Sequence, residues 1–87
     1  PSTEAYALLL ARAARGRLGA TWGIAETGTA GPTGSRYGFN AGRVCVAVAG
    51  PVEKSLLLET GSADRSKNMQ RFAEAALQLF ATTLTPN

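Results

Sequence analysis

Apolar positions repeat in two ways along this chain, with period two and with the longer period of a helix. From Val44 to Ala49 every residue is apolar and every second one is valine. That pattern marks a strand covered on both faces, and residues 43–49 are predicted as the central strand. Gly50-Pro51 signals a turn, after which Leu56-Leu57-Leu58 anchors a further strand from Val52 to Thr60. The gap is short, so the two strands form an antiparallel hairpin. Upstream, residues 20–27 read as the first strand, through Trp22-Gly23-Ile24-Ala25.

Helical periodicity brackets these strands. Ser2 or Thr3 caps a first helix with Glu4 in its first turn. Tyr6, Leu9, Leu10, Ala13 and Leu18 share one side, and Arg12, Arg15 and Arg17 lie elsewhere. Gly16 costs about 1 kcal/mol relative to alanine inside a helix, and Gly19 is the expected stop. A last helix begins after Gly61, with Ser62 or Asp64 as its cap and Met69, Phe72, Ala73, Ala76 and Phe80 as its apolar stripe. Leu77 and Leu84 lie alongside, and Thr85-Pro86-Asn87 is a tail.

The predicted order is therefore α-β-β-β-α. A strand apolar on both faces needs a cover on each, so the fold class expected is α/β, a three-layer α-β-α sandwich. Three strands leave two sheet edges, and an open edge templates pairing with another segment. A missing segment, a second chain or a copy of itself would serve.

Between the first two strands lies Thr27-Gly28-Thr29-Ala30-Gly31-Pro32-Thr33-Gly34-Ser35, followed by Gly38 and Gly42. Read as a loop over 28–42, so many glycines permit positive φ and bring backbone N–H groups close to a ligand. Here the sequence resembles a family. Thr27-Gly-Thr-Ala-Gly-Pro32, eight intervening residues, and then Ala41-Gly42 and the strand 43–49 are similar to the TGxAGP…VG segment of the CinA carboxy-terminal domain, the nicotinamide-mononucleotide amidohydrolases. Ser2 to Gly23 is similar to the helix and Leu-Gly-Ala before that motif. Ala63-Asp64-Arg65 with Ala75-Ala76-Leu77 is similar to the family's GDR-initiated last helix. The resemblance covers nearly the whole chain but only the second half of the family's domain, so residues 1–87 are expected to be a single, partial CinA-like domain.

Composition narrows the chemistry. Apolar content of 45% with 17% charge fits one globular domain, and a chain of 87 residues buries a smaller fraction of its surface than larger domains do. Net charge is +3. The single Cys45 has no internal disulfide partner and reads as a buried small hydrophobe with a raised pKa. Without an apolar span of membrane length or a signal-peptide pattern, a cytoplasmic location is expected. The chain has no histidine, and no Cys/His/Asp group has ligand spacing, so neither a metal nor a cofactor is implied. Ser66-Lys67 is adjacent rather than spaced to meet on one helix face. Glu26 is the only carboxylate beside the loop in sequence, and a lone charge at a strand end reads as solvated or paired. No full catalytic set is present.

The resemblance implies why. In the CinA amidohydrolases a nucleophilic serine in an ESCTGG-like turn and its activating lysine lie in the first half of the domain, which has no counterpart here. What matches is a substrate-side wall, implying as binding residues Thr27, Gly28, Thr29, Ala30 and Gly31, through backbone N–H groups, and Arg65, through a bidentate pair with phosphate. The implied ligand is nicotinamide mononucleotide or a similar nucleotide. Two positions depart from the family pattern: Met69, read as facing the core, stands where a second arginine is frequent, and Phe39-Asn40 stands where Lys-Pro is found. Two readings compete with this one: a non-catalytic remnant that self-associates through its open edge, and an RNA-binding module, since α-β-β-β-α is also the order of double-stranded-RNA-binding domains. The last helix starts Asp64-Arg65-Ser66-Lys67 without a dense lysine cluster, which disfavours nucleic acid.

Overall fold

A computed structural model describes residues 3–31 and 41–85. The order is α1 (Glu4–Leu18), β1 (Gly23–Thr29), β2 (Arg43–Ala49), β3 (Glu53–Glu59) and α2 (Arg65–Leu84). The strands form one antiparallel sheet in the order β1-β2-β3, with β1 and β3 at its edges. Of the expected glycine-rich turn, Pro32, Thr33, Gly34, Ser35 and Gly38, together with Phe39 and Asn40, lie outside the described residues. So do Ser2, Pro86 and Asn87.

β2 is buried along its length because it is covered twice. Cys45, Ala47 and Ala49 turn to one face and pack with Ala7 and Ala11 of α1. Val44 and Val46 turn to the other and pack with Ala30 and Phe72, joined by Leu56, Leu58, Ala76 and Leu79. The two helices thus lie on opposite faces, as the doubly apolar strand requires. Burying each valine contributes about 1.5–3 kcal/mol. Near the other end of α2, Phe80 meets Trp22 edge to face, with ring centroids 6.2 Å apart.

Thr3 caps α1, its Oγ1 accepting the Tyr6 N–H at 3.2 Å. Gly19 ends it at φ 62°, where the N–H groups of Gly19 and Ala20 reach back to the Gly16 and Arg15 carbonyls at 3.3 and 3.1 Å. This is the paired arrangement that a left-handed glycine makes possible. Asp64 rather than Ser62 caps α2, its Oδ1 accepting the Lys67 N–H at 3.1 Å.

Three expectations need correcting. The expected stripe of α1 is not its buried face: Leu9 is 57% and Leu18 79% exposed, while Ala7 and Ala11 are fully buried. The cause is a close approach of α1 to the sheet. A Cβ at Gly23 would lie 2.2 Å from the Ala11 carbonyl oxygen, so only alanines fit beneath the helix. Next, β1 begins at Gly23 rather than residue 20 and runs on through Thr29. Its seven residues pair with the seven of β2, from Gly23 opposite Ala49 to Thr29 opposite Arg43, and this match sets both ends. Finally, Met69 does not face the core. It is 46% exposed, and the buried residue of that turn is Asn68.

Arg12 links α1 to the far edge strand, its Nε and Nη2 donating to the two carboxylate oxygens of Glu53 at 2.7 and 2.6 Å. These hydrogen bonds hold the Glu53 carboxyl below the usual carboxylate range, helped by the Arg12 charge and opposed by burial. A lowered folded pKa contributes stability that is present above the unfolded value and is lost as pH falls through the folded one. Both groups are exposed, so the increment is small and is screened by salt. At low salt, Glu53→Gln is expected to flatten the acid limb of the urea midpoint plotted against pH.

Candidate functional site

The antiparallel register brings the end of β1, the start of β2, the end of β3 and the start of α2 to one end of the sheet. There the backbone leaving β1 is held at three successive carbonyls. That of Thr29 accepts the Gly42 N–H at 2.6 Å. That of Ala30 accepts from Asn68 Nδ2 at 2.7 Å. That of Gly31 accepts from Arg65 Nη1 at 3.2 Å.

Asn68 is the centre of this arrangement. It is fully buried, and its Nδ2 also donates to the Ser62 carbonyl at 2.8 Å while its Oδ1 accepts the Thr60 hydroxyl at 2.6 Å. One amide therefore ties together the segments before β2, after β3 and inside α2. Burial of such a group is tolerated because donor and acceptor are both satisfied. Gly31 and Gly42, at φ 105° and 88°, pass too close to their neighbours for a side chain. A Cβ would lie 2.7 Å from the Ala63 carbonyl oxygen at Gly31 and 2.3 Å from Thr60 Oγ1 at Gly42.

Of the residues expected to bind substrate, Ala30, Gly31 and Arg65 come together here. Thr27 is a strand residue as expected, while Gly28 and Thr29 are strand rather than loop; the three lie opposite Cys45, Val44 and Arg43. Thr27 and Thr29 are half-buried, while Gly28 is exposed. The Thr29 carbonyl turns toward β2, so by strand alternation the peptide group of Gly28 turns away from it. Glu26 is not the only carboxylate of the neighbourhood in space. Glu59 meets Arg43 at 2.9 Å at the same end of the sheet, beside a small cavity of about 90 Å³ lined by Ala41, Arg43, Glu59 and Gly61.

Sequence reasoning missed Asn68, Thr60 and Ser62. A signal existed for the first: Asn68 lies four residues before Phe72 and eight before Ala76, a polar residue on the apolar stripe. Thr60 read as the end of a strand and Ser62 as a cap candidate, and neither carried a signal of its place in this network.

Cys45 is fully buried, and burial pushes its thiol above the ordinary range, partly offset by the Arg43 charge. A thiol reagent such as dithionitrobenzoate is expected to label it only on unfolding, with a rate that follows urea denaturation. Labelling of the native protein at the rate of an exposed thiol would contradict that. Among the described residues no group of three or more His, Cys, Asp or Glu is placed to hold a metal ion, and no helix is long and apolar enough to cross a membrane.

The fold and this end of the sheet define a three-layer α/β domain whose edge-strand terminus is fastened to the start of its last helix. The family model for the CinA C-terminal domain matches residues 2–84, and the chain belongs to that family. A CinA-like protein of Salinibacter ruber is 37% identical over 83 residues, covering 95% of this chain. A CinA-like protein of Prochlorococcus marinus is 52% identical over 42 residues, covering 48%. A competence-damaged protein (CinA) superfamily structure from Enterobacter cloacae superposes with a TM-score of 0.87 at 27% identity, over 97% of this chain and 50% of its own. Another from Escherichia coli gives 0.76 at 30% identity, over 88% and 46%. The chain spans 20% of the length of the Salinibacter relative and 10% of the Prochlorococcus one.

Proposed function

We propose that this chain forms the substrate-side wall of an amidohydrolase acting on nicotinamide mononucleotide, whose reactive serine and activating lysine come from polypeptide outside residues 1–87. The reaction is attack of the serine on the carboxamide carbon with release of ammonia, then hydrolysis of the acyl-enzyme to nicotinic acid mononucleotide. The observation that carries the reading is the fastening of Ala30 and Gly31 to Asn68 and Arg65, which holds the family's TGxAGP segment at one sheet end. The described residues there offer binding groups and no nucleophile with its base. Arg65 presents guanidinium donors beyond the one given to Gly31, in the planar fork that suits a phosphate. The outward peptide N–H of Gly28 suits a carbonyl oxygen or developing oxyanion.

Ammonia release from nicotinamide mononucleotide tests this. The isolated chain is expected to give none. Co-expression with the other half of the family's domain should restore turnover, with Arg65→Ala raising KM roughly tenfold and changing kcat little. Turnover by the chain alone, or none by the pair, would overturn the reading.

A further inference from the structure

We propose that the end of the sheet remote from Arg65 is a docking surface for an anionic phospholipid leaflet. It seats Leu18 and Val52 among the acyl chains and Arg15 and Arg17 at the headgroup phosphates. The proposal is independent of the amidohydrolase reading.

Several elements finish at this end. α1 stops at Leu18, Gly23 of β1 lies opposite Ala49 of β2, and Glu53 begins β3 across from the same Ala49. The contact of Trp22 with Phe80 brings the last turns of α2 here as well. The turn between β2 and β3 is laid against Trp22, since a Cβ at Gly50 would lie 2.4 Å from the indole ring.

Charge is segregated to this end. Arg12, Arg15, Arg17 and Lys54 stand here, with Glu53 as the only acid among the described residues. Of the chain's nine lysines and arginines and six acids, the five and five that remain cancel, so this end holds the whole net charge of +3. Glu53 is taken up by Arg12, whereas Arg15 and Arg17 form no ion pair among the described residues. The dipole of α1 favours cations in its last turn, but it gives no reason for apolar residues beside them.

Those apolar residues are exposed on three separate elements. Leu18 is 79% exposed at the end of α1, and Val52 is 47% exposed beside the exposed Pro51 in the β2–β3 turn. Leu84, in the last turn of α2, is 44% exposed. Apolar tips flanked by arginine match an acidic leaflet, where the tips leave water and each cation gains from the negative surface potential. Beside them an open hollow of about 370 Å³, lined by Arg12, Arg15, Gly16, Gly19 and Ala20, has room for a headgroup. Nucleic acid would engage the arginines and leave Leu18 and Val52 in water. The Gly31–Arg65 hydrogen bond lies at the opposite end of the sheet and faces away from the leaflet.

The test is cosedimentation of the chain with vesicles of phosphatidylcholine and phosphatidylglycerol in equal parts. Binding to these, weakening as salt is raised, and no binding to phosphatidylcholine alone are expected. Trp22, the single tryptophan, should be quenched by brominated acyl chains. Arg15→Gln with Arg17→Gln should lower the partition coefficient roughly 25-fold, about fivefold for each cation. Lys67→Gln with Arg71→Gln removes the same charge elsewhere and should change it little. Leu18→Gln and Val52→Gln should each lower it about fivefold, while Leu9→Gln and Leu57→Gln, exposed on other surfaces, should not. No binding to the anionic vesicles at low salt, or equal losses in the two charge pairs, would overturn the proposal. So would binding that survives Leu18→Gln and Val52→Gln with duplex DNA held as tightly, which would make this end a general polyanion patch.

Discussion

Asn68→Ala is expected to cost about 3 kcal/mol of stability, because it strands the Ala30 and Ser62 carbonyls and the Thr60 hydroxyl, each costing about 1–3 kcal/mol when left unsatisfied. Small domains hold roughly 5–15 kcal/mol in all, so this is a large share. Urea denaturation measures it, with amide exchange near Gly42 and Thr60 rising in the same variant. Asn68→Asp is sharper still. Its carboxylate would face two carbonyl oxygens where the amide donated, so the folded state favours the protonated acid. A raised folded pKa makes stability fall as pH rises through the carboxylate range, and the variant should be least stable at neutral pH. A wild-type midpoint in either variant would mean that water replaces the amide. On the proposed amidohydrolase reading, Asn68→Ala should also weaken nucleotide binding by the reconstituted pair, through the displaced Ala30-Gly31 segment.

Gly23→Val is expected to be the most damaging single change on the other face. Its Cβ would lie 2.2 Å from the Ala11 carbonyl oxygen and 2.9 Å from Arg15 Cβ, so α1 must lift off the sheet. Lifting uncovers Ala7, Ala11, Cys45, Ala47 and Ala49 together. Overpacking of this kind costs about 3 kcal/mol, and in a domain of this size each kcal/mol shifts Tm by about 4–8 °C. The melting temperature should fall accordingly, and Cys45 should become reactive to thiol reagents without denaturant. Gly16→Ala is the matched control. Nothing lies within 4 Å of its Cβ position, so the change should stabilise the helix by about 1 kcal/mol. If both glycine variants behaved alike, steric contact beneath α1 would not be what selects its alanine face.

The segment Thr27 to Gly31 was legible because its residues are contiguous, and Arg65 because it stands in a second short motif at the start of the last helix; the structure joins Gly31 to Arg65 through a hydrogen bond. Asn68 was not picked, because which of two adjacent helix residues is buried depends on how α2 is rotated over Val44 and Val46. That rotation comes from packing, and a helix advances about 100° per residue, so Met69 and Asn68 exchange inside for outside with a small turn. Gly28 and Thr29 read as loop in the sequence for a related reason, since glycine and threonine carry little strand signal until a partner strand is opposite.

Local interactions alone settled the order α-β-β-β-α, the stop at Gly19, a cap at Ser2 or Thr3 for the first helix and at Ser62 or Asp64 for the last, and the need of the apolar run 44–49 for a cover on each face. Each of these depends on side chains and backbone groups within a few residues of one another. Only the tertiary structure decided which face of α1 is inside, where β1 ends, and that one buried amide fastens three separate segments. Those outcomes depend on distances between Gly23 and Ala11, Thr29 and Gly42, and Asn68 and Ala30, pairs set by packing and pairing across the fold.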